Sequence, residues 1–407
     1  MRTEWWLAAG AAALGVLVWH GARQAPMAAA PAPANSARPG MRIFGEVSAA
    51  PSGPGDRAAR RRLLAARLAD AERTYCNYEA GTRYPDSSRP LAEHPDQVYP
   101  NAPVTETHAM RIDKAGDGTA TDAAVQIQTS QSRVFMGAGE TVAFSLRAVD
   151  GEGRVLPLVV TRALAQGLTY GGARAAPQVA LAFADDGQGA DAQAGDGAFA
   201  AVLAPAQGGL AGFDGTIRTD VRYSAGGHNG FVLFDVIYSP VPPALWTGPP
   251  REVLEDGSLS YYLPAEIRTP GRYVVSARVD DAHGQPFALA TFNEELGAGP
   301  QEIKLSVFGR LLRDQQPALP LTLRDVDAYL LREDTDPDRA LMPRLEGKVL
   351  TGKTYPLTAF SGAEWAGEQR SRYLAEFARD ALAARAALAA FDPAQDLPPG
   401  PCAITPP

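Results

Sequence analysis

Four aspartates in a glycine-rich stretch, residues 181–205, are the side chains in this sequence best suited to bind a metal ion. They are Asp185, Asp186, Asp191 and Asp196. Ca²⁺ takes about six to eight oxygen ligands, which clustered aspartates and backbone carbonyls can supply. The spacing is not that of an EF-hand, because Gln188 and Ala190 stand at its positions three and five and no Glu closes the loop. The stretch therefore predicts either a calcium site of another kind or an acidic surface turn without an ion.

Residues 347–354, GKVLTGKT, fit the phosphate-binding pattern G-x-x-x-x-G-K-[ST]. That pattern binds phosphate only when a strand precedes it and a helix follows it. Pro356 and Gly362 argue against a helix after Lys353. We therefore predict that this match lies on a β-hairpin and binds no nucleotide.

Catalytic signatures are absent from the sequence. It contains neither the serine motif G-x-S-x-G nor the zinc motif H-E-x-x-H. We assign no catalytic residue and no cofactor-binding residue, and we expect that no cofactor is required other than a possible Ca²⁺ ion. A binding protein is therefore expected in preference to an enzyme.

The sequence has two cysteines, Cys76 and Cys402, far apart in the chain. A disulfide between them would join the two ends of the folded region, and export would favour it because disulfides persist in oxidising compartments. The alternative is a pair of free thiols.

Residues 1–23 predict a membrane anchor. The stretch 5–22, WWLAAGAAALGVLVWHGA, is uncharged and has aromatic residues near both ends. A cleavable signal peptide is the alternative, but His20 and Pro31 spoil the nearest cleavage sites. The arginines after the span favour a cytoplasmic body, whereas the short N-terminal tail and the β-rich body favour an extracytoplasmic one. We expect a single-pass protein of the cytoplasmic (inner) membrane with its body in the periplasm.

The segments around the β-rich body contain a spacer and two helices. Residues 24–55 are rich in Ala and Pro and predict an extended spacer. Residues 56–108 predict a helix over 56–75 followed by a wrapping coil, and residues 363–407 predict a helix over 363–391 and a tail. The six arginines of the first helix suit either anionic lipid head groups or a solvated helix face.

Short strand patterns separated by Asp-Gly turns fill the middle of the chain. About seven of them fall within residues 109–240 and predict an immunoglobulin-like (Ig-like) β-sandwich. Five prolines over residues 240–250 then interrupt regular structure, and residues 251–360 predict a second, smaller sandwich. The expected fold class is mainly β, with two Ig-like sandwiches, a transmembrane helix, a short N-terminal helix and a C-terminal helix.

The stretch DDGQGADAQAGDGAFA, residues 185–200, resembles the Asp/Gly turn of bacterial proteins with a choice-of-anchor X domain. The resemblance covers residues 141–239 and implies an extracytoplasmic, Ig-like β protein of the cell surface. It transfers no functional residue. This chain departs from the family by placing its membrane segment at the N-terminus.

The formal net charge of −8 argues against nucleic acid as a partner. We expect a membrane-anchored protein that binds or scaffolds an envelope protein or glycan. The first alternative is an envelope hydrolase that cleaves glycan with acidic residues in an inter-domain cleft. The second is a module of a larger export or adhesion complex that docks through the 363–391 helix.

Overall fold

The computed structural model describes residues 54–100, 102–114, 118–169 and 177–404. The chain is mainly β, with 44% strand and 21% helix, as predicted. The predicted anchor over 1–23 and nearly all of the predicted spacer lie outside the described residues. Among the residues that are described, no helix is both long and apolar enough to cross a membrane.

The described residues form two compact units. A helical unit combines residues from Met1–Gly81 and Ala366–Pro407, and a β unit comprises Thr82–Trp365. The helices are α1 (Pro54–Gly81), α2 (Gly309–Gln315) and α3 (Glu368–Phe391). The first strands are β1 (Ser88–Pro90), β2 (Val104–Lys114), β3 (Gly118–Gln131), β4 (Phe135–Gly137), β5 (Val142–Val149), β6 (Val155–Leu156), β7 (Leu158–Gly167), β8 (Gln178–Ala180), β9 (Phe199–Leu203), β10 (Gly215–Ala225) and β11 (His228–Ser239). The later strands are β12 (Ala244–Trp246), β13 (Arg251–Glu255), β14 (Ser258–Ile267), β15 (Gly271–Asp280), β16 (Pro286–Leu296), β17 (Gly299–Val307), β18 (Thr322–Leu331), β19 (Arg339–Leu341) and β20 (Leu345–Thr351).

Strands β2 to β11 form one sheet, which we call the first β region. Its strand order is β6-β5-β3-β2-β11-β10-β7-β8, with β4 beside β11 and β9 beside β5. Alternate residues of these strands point inward, as the period of two requires. Phe144 and Phe234 stack inside this core with ring centroids 4.7 Å apart.

The remaining strands form two sheets that share a second core, and we call them the second β region. One sheet has the order β1-β16-β15-β18-β19 with β20 beside β18, and the other has β12-β14-β13 with β17 beside β14. Strand β14 buries Leu259, Tyr261 and Leu263 in this core, and β15 buries Tyr273 and Val275. The two sheets are therefore held together by side chains from both of their inner faces.

The helical unit pairs α1 with α3. Leu68 and Tyr75 of α1 are buried, as their helical spacing predicts. At one end of the pair, Nε of Arg61 lies 2.7 Å from Oδ2 of Asp392, and the guanidinium of Arg57 lies over the ring of Phe391. Both of these contacts join residues more than 300 positions apart in the sequence.

Several elements differ in extent from the predictions. Helix α1 continues through residue 81, so Cys76 lies inside it, whereas we predicted that Cys76 follows the helix. Helix α3 begins at Glu368, five residues after the predicted start. Strand β2 begins at Val104, within a segment that we predicted as coil. The prediction was wrong because residues 104–114 alternate only weakly between apolar and polar side chains. The strand forms because it pairs with β3.

Candidate functional site

The aspartates of residues 181–205 lie in a loop between β8 and β9, as the flanking apolar segments predict. Ala184 and Ala200 exchange backbone hydrogen bonds and close the base of this acidic loop. Gly187 and Gly197 have φ values of +71° and +82°, which glycine adopts without strain. At Gly197 a Cβ atom would also lie 2.4 Å from Cγ1 of Val155. The glycines therefore allow the loop to fold back on itself.

Three of the four predicted aspartates come together. Asp185, Asp191 and Asp196 each place one carboxylate oxygen within 4.8 Å of the others, and Asp191 is only 8% exposed. Asp186 lies outside this group, and its Oδ1 accepts a hydrogen bond from the backbone N–H of Gln188. The acidic triad is thus narrower than the predicted set of four.

Backbone N–H groups bind the carboxylates of the triad. Asp185 accepts N–H groups from Gly195 and Gly197, at 2.6 and 2.9 Å. Asp191 accepts from residues 187 and 193, and Oδ1 of Asp196 accepts from residue 198. Across the described chain, no Lys or Arg forms an ion pair with these three aspartates. Each carboxylate oxygen keeps a second lone pair, so the donor set fits a hard cation such as Ca²⁺ that completes its shell with carbonyls and water.

The predicted disulfide between Cys76 and Cys402 is present. It joins α1 to the tail that follows α3, with a Cα–Cα distance of 5.9 Å and a sequence separation of 326. Near it, Arg385 of α3 binds the carboxylate of Glu72, which is 3% exposed, with Nε 3.0 Å from Oε1. The disulfide and this ion pair connect the same two parts of the chain.

The phosphate-motif match over 347–354 is not followed directly by a helix, as the phosphate-binding arrangement requires. Strand β20 pairs antiparallel with β18, and the residues between β20 and α3 contain only a short 3₁₀ turn, Leu357–Ala359. The N–H of Lys353 donates to Oε1 of Glu252 at 2.9 Å, and the hydroxyl of Tyr355 donates to the same oxygen at 3.0 Å. A carboxylate therefore occupies the place where the motif would bind phosphate.

An arginine-rich seam joins the two β regions, and sequence reasoning missed it. Its arginines are Arg133, Arg332, Arg339 and Arg344. The guanidinium of Arg339 lies 4.5 Å from the ring centroid of Phe135 and 4.7 Å from that of Tyr329. Oγ of Ser239 also accepts the backbone N–H of Leu341 at 3.3 Å. These partners are far apart in the sequence, so no local pattern signals the seam.

Carboxylates along the seam face arginines. Oε1 of Glu140 lies 2.7 Å from Nη1 of Arg133, and Oδ2 of Asp327 lies 3.5 Å from Nη2 of Arg344. Arginine hydrogen bonds lower the pKa of Asp338. Glu140 and Asp327 are thus held as ion-pair partners. The lowered pKa of Asp338 is the opposite of the raised pKa of a general acid.

Glu255 on the second β region lies in a surface cluster that strongly lowers the pKa of its carboxyl group. Nζ of Lys304 lies 2.7 Å from Oε1 of Glu255, and the hydroxyl of Tyr262 donates to the same oxygen at 2.6 Å. Arg251 covers the ring of Tyr262 at 4.1 Å from the centroid. The hydrogen bonds from Lys304 and Tyr262 lower the pKa of Glu255 to about 2.

Comparison with known proteins gives distant structural likeness. No family model matches the sequence, and no curated protein matches it. A DUF4785 family protein from Legionella pneumophila is similar over 56% of this chain and 57% of its own, at 12% identity and a TM-score of 0.36. The adhesin InvE of Yersinia pseudotuberculosis is similar over 54% of this chain and 58% of its own, at 12% identity and a TM-score of 0.19. The chain spans under two thirds of the length of either neighbour.

Proposed function

We propose that this chain is an extracytoplasmic protein of a bacterial cell envelope that binds or scaffolds another envelope component. In this proposal residues 1–23 anchor it in the membrane, and the two β regions are Ig-like sandwiches, of which the first resembles the choice-of-anchor X domain over residues 141–239. The partner is an envelope protein or a glycan. This proposal assigns the chain a binding role in preference to an enzymatic one.

The disulfide between Cys76 and Cys402 is the observation that carries this proposal. Disulfides form and persist in oxidising compartments such as the periplasm and are rare in the bacterial cytosol. The bond joins α1 to a tail residue 326 positions later, so it serves the folded protein and is not a local redox motif of the C-x-x-C kind. This placement supports an extracytoplasmic body over the cytoplasmic orientation that the flanking arginines favour.

The alternative of a glycan hydrolase receives less support from the seam between the β regions. A glycosidase needs two carboxyl groups about 5–9 Å apart, one of them able to hold a proton at the working pH. Asp214, Glu140 and Asp327 in this seam are each within 3.5 Å of an arginine nitrogen. These ion pairs give the three carboxylates a structural role in the seam.

The acidic triad has a structural role in this proposal. Asp185, Asp191 and Asp196 bind one Ca²⁺ ion, which holds the β8–β9 loop in place. Extracellular modules bind calcium with dissociation constants of about 10⁻⁴–10⁻³ M. Such weak binding fills the site only where Ca²⁺ is abundant, as it is outside the cytoplasm. In this proposal the ion stabilises the loop and has no catalytic role.

The thiol state in the native cell tests the proposal. Cells are quenched with acid, free thiols are blocked with N-ethylmaleimide, and unreduced peptides are analysed by mass spectrometry. We expect a peptide containing Cys76 linked to one containing Cys402, and we expect added protease to cleave the body in spheroplasts. Blocked thiols on both cysteines, together with protection from protease, would overturn the extracytoplasmic proposal.

Binding itself requires a second measurement. The full-length protein is cross-linked in intact cells with a membrane-impermeant reagent, and linked peptides are identified after purification. We expect links from exposed lysines of the second β region, such as Lys304 and Lys348, to one reproducible envelope protein. If cross-linking captures no protein, the same chain is tested on purified peptidoglycan. Absence of binding in both experiments would contradict the binding function.

A further inference from the structure

The helical unit has a small apolar core. The buried apolar side chains that the structure describes in it are Leu68, Tyr75, Ala378, Ala381 and Leu388. Three of these are tyrosine or alanine. Beside them, the ring of Tyr78 on α1 packs edge to face on Tyr373 and Phe377 of α3, with centroids 5.8 and 5.3 Å apart. Small units with such cores usually need a disulfide or a metal to stay folded. The pairing of α1 with α3 therefore depends on additional restraints.

One restraint is an ion pair covered by the tail. Glu72 of α1 is buried and bound by Arg385 of α3, whose side chain is 32% exposed. The tail crosses this pair at Gly400: a Cβ atom there would lie 3.2 Å from Nη2 of Arg385 and 3.3 Å from both carboxylate oxygens of Glu72. Such a close approach is possible because glycine has no side chain. The tail thereby shields the pair from water.

The disulfide fixes this part of the tail. Cys402 is two residues beyond Gly400, and its bond to Cys76 places that segment one turn along α1 from Glu72. The Coulomb attraction of Glu72 and Arg385 is strong while the tail keeps water away and falls when water raises the local dielectric constant. The strength of the Glu72–Arg385 ion pair therefore depends on the disulfide, which holds the tail over it.

We propose that the Cys76–Cys402 bond is a redox-dependent clasp: the pairing of α1 with α3 is stable when the bond is closed, and reduction releases the tail and separates the helices. This inference rests on the proposed function for the compartment in which the clasp closes. It makes the helical unit a structure that is completed only after export. The β unit, with its two larger cores, folds without it.

The redox step is a thiol–disulfide exchange with a dithiol reductant. One thiolate of the reductant attacks a sulfur of the Cys76–Cys402 bond, and its second thiol resolves the mixed disulfide. Two electrons and two protons pass to the protein, which is left with two thiols, and the reductant becomes a cyclic disulfide. Both cysteine residues are half-buried.

Hydrogen–deuterium exchange of the full-length protein in detergent tests the clasp. The folded, oxidised protein is treated with dithiothreitol, and complete reduction is verified by the mass increase of about 2 Da. We expect amide exchange in peptides of α3 to accelerate at least tenfold, because the helix loses its partner. Exchange in β10, β14 and β15 stays unchanged and is the internal control.

Two variants separate the clasp from other effects of the reductant. Cys402→Ser should show the fast α3 exchange without reductant and no further response to it. Gly400→Ala keeps both sulfurs and should accelerate exchange in α3 by a smaller factor, because its new methyl group displaces the tail from Glu72. Unchanged α3 exchange after complete reduction would overturn the clasp, as would equal acceleration in the β unit. Neither result would bear on the compartment, which the thiol state in cells measures separately.

Discussion

Arg332 and Asp214 form a bidentate ion pair between the two β regions, although 118 residues separate them in the sequence. Nη1 of Arg332 lies 3.1 Å from Oδ2 of Asp214, and Nη2 lies 3.3 Å from Oδ1. The same Nη2 donates to the backbone carbonyl of Arg339, whose guanidinium is held between two aromatic rings. Charge and aromatic contacts thus act together at this junction.

A double-mutant cycle measures the coupling of this pair. With Arg332→Ala, Asp214→Ala and the double variant, urea unfolding should give a coupling free energy of about 0.5–1 kcal/mol, since both side chains are partly exposed. The coupling should fall in 1 M salt, which screens exposed charges. A coupling near zero at low salt would show that the pair contributes nothing to stability.

Replacing Arg339, which stacks between two aromatic rings, should lower the free energy of unfolding by more than the loss of the Arg332–Asp214 pair. Arg339→Ala removes contacts with both Phe135 and Tyr329, and we expect it to lower the free energy of unfolding by about 1–2 kcal/mol. Arg272→Ala is the matched control, because Arg272 is an exposed arginine of the same sheet that binds Asn293. It should change stability by less than about 0.5 kcal/mol. Equal effects of the two variants in urea unfolding would contradict a special role for the stack.

Calcium binding is tested by two aspartates that make the same local hydrogen bond. Oδ1 of Asp196 accepts the N–H of Ala198 at 2.9 Å, and Oδ1 of Asp186 accepts that of Gln188 at 3.0 Å. At ten times the dissociation constant, Ca²⁺ should stabilise the protein by roughly 1.4 kcal/mol. Asp196→Asn should abolish this gain, and Asp186→Asn should retain it. If the thermal unfolding temperature of the unmodified protein is the same with and without Ca²⁺, the predicted calcium site does not exist.

The low pKa of Glu255 predicts a pH dependence with a definite sign. Because the pKa is about 2 in the folded protein and 4.5 in the reference state, the folded state is stabilised by this carboxylate above pH 4.5. The contribution is lost as the pH falls from 4.5 towards 2. Carboxyl ¹³C NMR should show a midpoint near pH 2, and Lys304→Met should move it upward. A midpoint at the ordinary value in the unmodified protein would disprove the interaction.

The turn after β20 predicts a steric effect of one methyl group. At Gly352 a Cβ atom would lie 1.8 Å from Oε2 of Glu252, whereas at Gly362 the nearest atom of Arg313 is 3.6 Å away. Gly352→Ala should therefore destabilise the protein by about 1–3 kcal/mol, and Gly362→Ala should leave stability almost unchanged. Thermal unfolding of both variants measures the difference. Similar unfolding temperatures would show that Glu252 moves aside at little cost.

Local chemistry predicted much of this molecule. The helical spacing of Leu68 and Tyr75 identified the packed face of α1, and the Asp/Gly stretch indicated the loop that holds the triad. The ends of the helices and strands were harder to predict from the sequence. Strand β2, for example, is stabilised by its pairing with β3. Its own sequence has too few large apolar residues to reveal a strand.

The seam and the covered ion pair could not be predicted, for a different reason. Arg332 meets Asp214, and Arg385 meets Glu72, only after distant parts of the chain have come together. Each arginine in the sequence is indistinguishable from a solvated one. Asp186 is the opposite case, in which the sequence predicted a contact that the structure does not have. Its position beside Asp185 suggested a shared metal site, but its carboxylate lies outside the triad.

The separation of 326 residues between Cys76 and Cys402 sets a delay during protein synthesis. Ribosomes add about 5–20 residues per second, so α1 waits roughly 15–65 s before the segment that completes its unit has been made. A helix with a broad apolar face would aggregate or mispair during that interval. Helix α1 instead carries six arginines and buries only a narrow stripe. Its polar character keeps it from aggregating until the segment that contains Cys402 has been made.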